Sequence, residues 1–284
     1  MWERKFRKVD GVLSVDPIAM SYLLQGSEPI SVVGYDITDA NAVQVLLNQI
    51  YLDIRDPEQQ NVIFAEVAAA TFRKLASGRV DSQAAYDGLR RGVEERRMLL
   101  YLDNPTMQKE LAGSRIAGDL DFGRGPNPQV GLYFNDGTAT KMDYYLRYET
   151  SVESVSCQGN RQRLRVTSRM TSQVPENLDQ LTPSILGPAE AAPEGVLVTS
   201  TDLVAPVGGS IDSFEVDGRP PVDVRATLGG REISSTRVFL RPGQSATLSY
   251  TVTTGKGQIG DPDLRVTPGV ADLGLGEIGK SSCG

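Results

Sequence analysis

The chain has 284 residues, a formal net charge of −7, and 39% hydrophobic against 23% charged residues. That length accommodates one large domain or two, each with its own core. The acidic balance argues against a nucleic-acid partner, whose phosphates need a basic face, and against adsorption on an anionic membrane surface.

In chain order, the stretch from Met1 to Lys8 is charged and lacks the apolar core of a signal peptide. The polypeptide is therefore expected to begin almost directly in structured sequence, as a fragment of something longer does. Gly11 to Val15 is a short apolar run that predicts a strand. Asp16 then caps a helix, Pro17 sits in its first turn and Gly26 follows its end. A second strand is expected from Ile30 to Val33. Thr38 or Asp39 opens the next helix, with Val43, Leu46, Leu47, Ile50 and Tyr51 on one face. Asp56-Pro57-Glu58 starts a third, whose stripe is Ile63, Val67, Ala68, Phe72 and Leu75 and which ends at Gly78. Asp81 or Ser82 opens a fourth, with Tyr86, Leu89, Val93 and Leu100. Asn104-Pro105 opens a short fifth that stops at Gly113. The arginine runs Arg90-Arg91 and Arg96-Arg97 are interleaved with glutamates and read as a solvated helix face.

Residues 1–118 thus form a helix-rich α/β part, and the Gly, Pro and Asp of residues 119–129 mark a linker. Over 130–284 the period becomes twofold. Leu164, Val166 and Met170 alternate with polar residues, as do Leu248, Tyr250 and Val252. Turn signals recur at Gln158-Gly159-Asn160, Asp217-Gly218, Gly229-Gly230 and Pro242-Gly243. The fold class is α+β, with an antiparallel β-sandwich of immunoglobulin-like type in the second part. The Cys-Trp-Cys hallmark of a true immunoglobulin domain is missing, since the single tryptophan is Trp2. Residues 174–194 carry several prolines without a period and read as a long loop. No window approaches the about eighteen apolar residues of a membrane span.

Motifs for chemistry are sparse. No histidine occurs, which removes the common serine and cysteine triads, and no motif supports a lysine-based variant. Gly274 to Ser281 matches the phosphate-loop letters, but no helix follows to supply the anion site, so the match is a coincidence. Asp119-Leu-Asp121-Phe-Gly123 resembles the opening of a calcium loop, yet Val130 stands where the bidentate glutamate belongs. Neither metal nor cofactor is predicted, and no catalytic residue is assigned. The most interesting cluster is Lys141, Asp143, Tyr144 and Tyr145. On a strand, Lys141, Asp143 and Tyr145 would share one face. With Asn135 and Asp136 they form the candidate binding residues, to which Arg55 is added below. Cys157 and Cys283 match no metal pattern. They are either two unrelated buried thiols or a disulfide stapling the C-terminal tail to an early strand of the second part, which implies an oxidising compartment.

Asp10 to Pro17, Asn41-Ala-Val43 and Glu94-Glu-Arg-Arg97 resemble the conserved family called domain of unknown function 4012. Gly131 to Asp136, continued by Lys141-Met-Asp-Tyr-Tyr145, is the most specific part of the likeness, which also takes in Thr267-Pro268 and Cys283. The family is found mainly in actinobacterial envelope proteins, usually with an N-terminal membrane anchor, and has no settled activity. The resemblance implies an extracytoplasmic, cell-envelope location and favours the Cys157–Cys283 disulfide. A second likeness is to the latter half of the LytR-CpsA-Psr phosphotransferases, which attach lipid-linked glycopolymers to the cell wall. It places Leu47 to Tyr51 over their arginine-bearing helix end and leaves Arg55 as the nearby arginine. One guanidinium is poor provision for a pyrophosphate. The expectation is a non-catalytic envelope module with a binding or scaffolding role, whose partner is a cell-wall glycan, a lipid-linked precursor or an envelope protein. The alternative is a divergent phosphotransferase fragment.

Overall fold

The computed structural model describes residues 9–119, 125–188 and 192–283. The chain divides into two compact units, residues 1–120 and 121–284. The charged N-terminal stretch, residues 120–124 of the expected linker and residues 189–191 of the expected long loop lie outside the described residues, as do all but Asp119 of the calcium-like Asp119–Gly123.

In the first unit, β1 (Gly11–Val15) pairs antiparallel with β4 (Met98–Leu102). Helix α1 (Pro17–Leu23) starts where the Asp16 carboxylate accepts a 2.7 Å hydrogen bond from the Ala19 N–H. Strands β2 (Ile30–Val32) and β3 (Tyr35–Ile37) form a hairpin. Its turn residues Val33 and Gly34 have φ of 45° and 84°. A β-branched residue gives no turn signal, so the expected strand runs one residue too far and the second strand is missed. Helices α2 (Ala42–Gln44) and α3 (Ile50–Asp53) are joined by a π-helical segment, Val45–Gln49. The run begins later than Thr38 or Asp39. Asn41 accepts a bond from the Thr38 N–H and donates to the Asp36 carbonyl, holding residues 36–41 in a turn.

Two helices bury faces that match the expected ones only in part: Ile63, Val67 and Leu75 of the first and Val93 of the second face the core as expected. Helix α4 (Pro57–Ala76) buries Gln60, Ile63, Val67 and Thr71, while Ala68 is exposed and Phe72 is 71% exposed. Polar residues hold the core face because they have local partners. Gln60 donates to the Ile54 carbonyl, and Thr71 donates to the Val67 carbonyl. Helix α5 (Ser82–Glu94) exposes Tyr86 and Leu89 and buries Gly88 and Gly92. A Cβ on Gly88 would lie 2.5 Å from the Tyr22 carbonyl oxygen, and one on Gly92 would lie 2.7 Å from Met98 Sδ. Close approach, not apolarity, chose this face. Leu100 belongs to β4, because the chain turns at Arg96, whose φ is 59°. Helix α6 (Pro105–Leu111) closes the unit, capped by Asn104.

The arginine run is not wholly solvated. The Arg97 side chain is 2% exposed and bridges Asp16 (3.0 Å) and Glu95 (2.9 Å). Glu95 also accepts from the Tyr22 hydroxyl and from Arg91, whose guanidinium lies 4.0 Å from the Tyr22 ring centroid. This network ties the start of α1 to the end of α5.

The second unit holds two five-stranded sheets. One runs β10 (Val224–Leu228), β11 (Arg231–Leu240), β8 (Leu197–Val204), β5 (Gln129–Asp136), β13 (Asp263–Val266). The other runs β14 (Leu275–Ile278), β6 (Leu146–Gln158), β7 (Arg161–Ser172), β12 (Ser245–Thr253), β9 (Ser210–Val216). The alternation read from the sequence places Leu164, Val166, Met170, Leu248, Tyr250 and Val252 inside. The Tyr250 hydroxyl donates to the Gly131 carbonyl of the facing sheet, and the Phe134 and Tyr148 rings meet at 4.4 Å. The sheets are mixed and not wholly antiparallel: β13 runs parallel to β5, and β14 runs parallel to β6. Both are short edge strands from the C-terminal tail, reached by connections between sheets and not by hairpins. The segment read as a long loop contains α7 (Pro183–Leu186), with Ile185 fully buried.

The phosphate-loop lookalike forms a turn and β14, while Lys280 pairs with Asp261 at 2.9 Å. Cys157 and Cys283 form a disulfide, with sulfurs 1.98 Å and α-carbons 5.1 Å apart. Beside it, the Ser282 N–H donates to Ser154 and the Ser281 N–H to Asp261, so the tail is pinned along β6. The molecule as described is α+β.

Candidate functional site

Strand β5 carries the chain from the core to its surface end at Asn135 and Asp136. There Asp136 organises the next turn. Its Oδ1 accepts from the Thr138 N–H (2.8 Å) and hydroxyl (3.0 Å), and its Oδ2 accepts from the Thr140 N–H (3.2 Å) and hydroxyl (3.4 Å). An aspartate closing its own turn in this way is ordinary Asx chemistry. The turn is fixed to its surroundings by the Gly137 N–H donating to Val198 and the Lys141 N–H donating to Ile185. Gly137 is required here, since a Cβ would lie 2.8 Å from Val198 Cγ1.

Residues Met142–Tyr145 form a 3-10 turn, not a strand. Lys141, Asp143 and Tyr145 therefore do not alternate along one face of a sheet. Three residues per turn place Met142 and Tyr145 in line instead. Met142 anchors the turn in the core, and the Tyr144 and Tyr145 rings meet edge-on at 5.1 Å. The Asp136–Thr140 turn leads directly into it, with the Met142 N–H donating to the Thr140 hydroxyl at 3.4 Å.

Asp143 is partly buried and the neighbouring Lys141 is exposed. Its Oδ1 has no hydrogen-bond partner among the described residues. Burial disfavours its charged form, the Asp136 carboxylate disfavours it further and Lys141 opposes both, so the carboxyl is pushed up to about 7. Near neutral pH, Asp143 is thus partly a protonated acid that can donate a hydrogen bond, beside an ammonium that can donate three. Together the two groups offer hydrogen-bond donors that suit a polar ligand.

Arg55 belongs to the first unit, where it is exposed on the link between α3 and α4. Leu47 to Tyr51 fall on the π segment and α3. The polar groups nearby form a chain of their own, from Gln44 to Gln49, Gln49 to Asp53, and the Tyr35 hydroxyl to Asp53 at 3.0 Å. Burial, then the bond to Asp53, pushes the Tyr35 hydroxyl up to about 12.

Residues 1–51 match the model of a family described as a protein of unknown function, DUF4012. That match supports the DUF4012 family. It ends in α3, so the second unit lies beyond the part that DUF4012 covers. No curated protein matches the chain. Among solved structures, a protein from Legionella pneumophila described as nutrient-binding is similar at 6% identity and a TM-score of 0.27, covering 49% of this chain and 54% of its own. An M1 zinc metallopeptidase from Deinococcus radiodurans is similar at 11% identity and a TM-score of 0.19, covering 48% of this chain and 21% of its own. This chain thus spans about half the length of the first and a fifth of the second. Likenesses of this size carry no argument about fold or activity.

Proposed function

We propose that this chain is a non-catalytic, extracytoplasmic module of the cell envelope, of actinobacterial type, with a binding or scaffolding role. The observation that carries the reading is the Cys157–Cys283 disulfide, since such bonds persist in oxidising compartments and are rare in the cytosol. The DUF4012 match adds to it. The facing sheets of the second unit support an immunoglobulin-like sandwich as the carrier of the binding face. Asn135, Asp136, Lys141, Asp143 and Tyr145 make up that face. It presents ammonium and carboxylic-acid donors next to aromatic edges, a combination that suits the hydroxyls and ring faces of a glycan. The partner is a cell-wall glycan or its lipid-linked precursor.

Calorimetry with soluble cell-wall glycan fragments, and separately with a polyprenyl-pyrophosphate-linked glycan, tests this. Binding to one of them, weakened about tenfold by Lys141→Ala or Tyr145→Ala, is expected. No binding to either, or binding indifferent to both substitutions, would overturn the assignment of the face.

A further inference from the structure

Strand β10 is a free edge of the second unit's first sheet. Among the described residues it pairs with β11 alone, and all five of its residues are exposed. The apolar exposure is large: Val224 is 70% and Leu228 51% exposed, and Val222, just before the strand, is 95% exposed. Natural sheets blunt such edges with charge, proline or a bulge, because an open edge pairs with whatever strand it meets. Here the strand itself carries neither proline nor bulge, and its one charge, Arg225, is held by Asp223 and Glu232 of its own chain.

Its geometry says which groups point outward. Gly229 and Gly230 form the two-residue turn to β11, with φ of 57° and 76°. Such a turn closes on a pair whose N–H and C=O groups face each other, here Leu228 and Arg231. The pattern alternates, so Ala226 and Val224 also face β11. Arg225 and Thr227 then direct their N–H and C=O groups to the open edge.

We infer that β10 is a self-association edge, which pairs antiparallel with β10 of a second copy of this chain about a twofold axis at Ala226. In that register Arg225 of each copy faces Thr227 of the other, and these are the residues with outward backbone groups. Two such pairs make four interchain hydrogen bonds. Val224 meets Leu228 of the other copy, twice, on one face. The charges are compatible as well. Arg225 is already paired with Asp223 and, at 2.9 Å, with Glu232 of its own chain, so two copies meet without opposing bare charges. A register shifted by one residue would face outward groups with inward ones and lose every bond. Pro221 and Val222 add to the apolar strip, which continues past Val224 to exposed Phe239 across a groove of about 620 Å³.

Sedimentation velocity on the full chain, over a wide concentration range, is the first test. A monomer–dimer equilibrium is expected, weakened about tenfold or more by Thr227→Pro. That proline removes an outward N–H and none that faces β11, so circular dichroism should be unchanged. Register is tested by Ala226→Cys, which places one thiol opposite its own copy and should cross-link the dimer under mild oxidation. Val222→Cys, opposite Gly230 in this register, should not. A chain that stays monomeric and fails to cross-link through position 226 overturns the proposal. So does a dimer that Thr227→Pro leaves intact in folded protein, or one that cross-links equally through position 222.

Discussion

Asp143 and Glu95 are carboxyls moved in opposite directions, and each fixes a pH dependence. Asp143 stands at about 7 against an ordinary 3.8. Between those values the folded protein holds a proton that the unfolded chain releases, so this group's contribution to stability falls as pH rises through that window. Asp143→Asn should therefore be nearly neutral at pH 4. At pH 8 it should stabilise by about 1–2 kcal/mol, a value discounted for partial exposure. Denaturant melts at both pH values check it; equal effects at the two would contradict the burial argument. Glu95 differs. Burial raises it, but the bonds from Arg91, Tyr22 and Arg97 outweigh that and hold it below 4.5. Its contribution is present above 4.5 and lost as pH falls through the lowered value. Arg97→Ala leaves Glu95 and Asp16 without their buried partner and should cost about 3–5 kcal/mol in urea melts of the whole chain. Of these residues, Asp16 was legible as a helix cap. Arg97 was not, because a basic residue beside glutamates looks the same whether the pair is solvated or folded under a helix end.

At the scale of elements, helix caps and helix ends were the readable part. Asp16, Asp56, Asp81 and Asn104 each accept from a backbone N–H at a helix start, and Gly26, Gly78 and Gly113 each follow a helix end with positive φ. These signals are local, so one sequence carries them whole. The buried faces of α4 and α5 were less readable. Helical spacing names Ile63, Val67 and Leu75 of the α4 core face, but Gln60 and Thr71 take the places expected for Ala68 and Phe72 by finding their own backbone acceptors. In α5 the contact with α1 depends on the absence of a side chain. Gly88→Ala should force the helices apart and destabilise by about 1–3 kcal/mol, despite the better helix propensity of alanine. A thermal midpoint equal to or above that of the parent chain would show that the approach of Tyr22 is softer than the 2.5 Å contact implies. In the candidate site the same limit applied. The residues of the segment from Asn135 to Tyr145 were readable as a polar cluster, but the strand expected for Lys141–Tyr145 is a 3-10 turn, anchored by buried Met142, which local alternation does not announce.

For the whole molecule, long-range ties decide what local pattern could not. Twofold alternation identified the interior of β7 and β12, while β13 and β14 are four residues each and join their sheets from far along the chain. The disulfide is the longest covalent tie, with a sequence separation of 126. Closing such a loop stabilises by about 5 kcal/mol in the chain-entropy model. Cys283→Ser should therefore lower stability substantially and release β14, seen as faster amide exchange at residues 275–278 with β7 and β12 still protected. The central claim, an extracytoplasmic module built for an oxidising compartment, is tested most directly by trapping thiols with an alkylating agent in the native host. Mass spectrometry of the digested protein then reads the state of the two cysteines. A Cys157–Cys283 linked peptide, with neither cysteine alkylated, is the predicted result. Two alkylated, unlinked cysteines would contradict the claim.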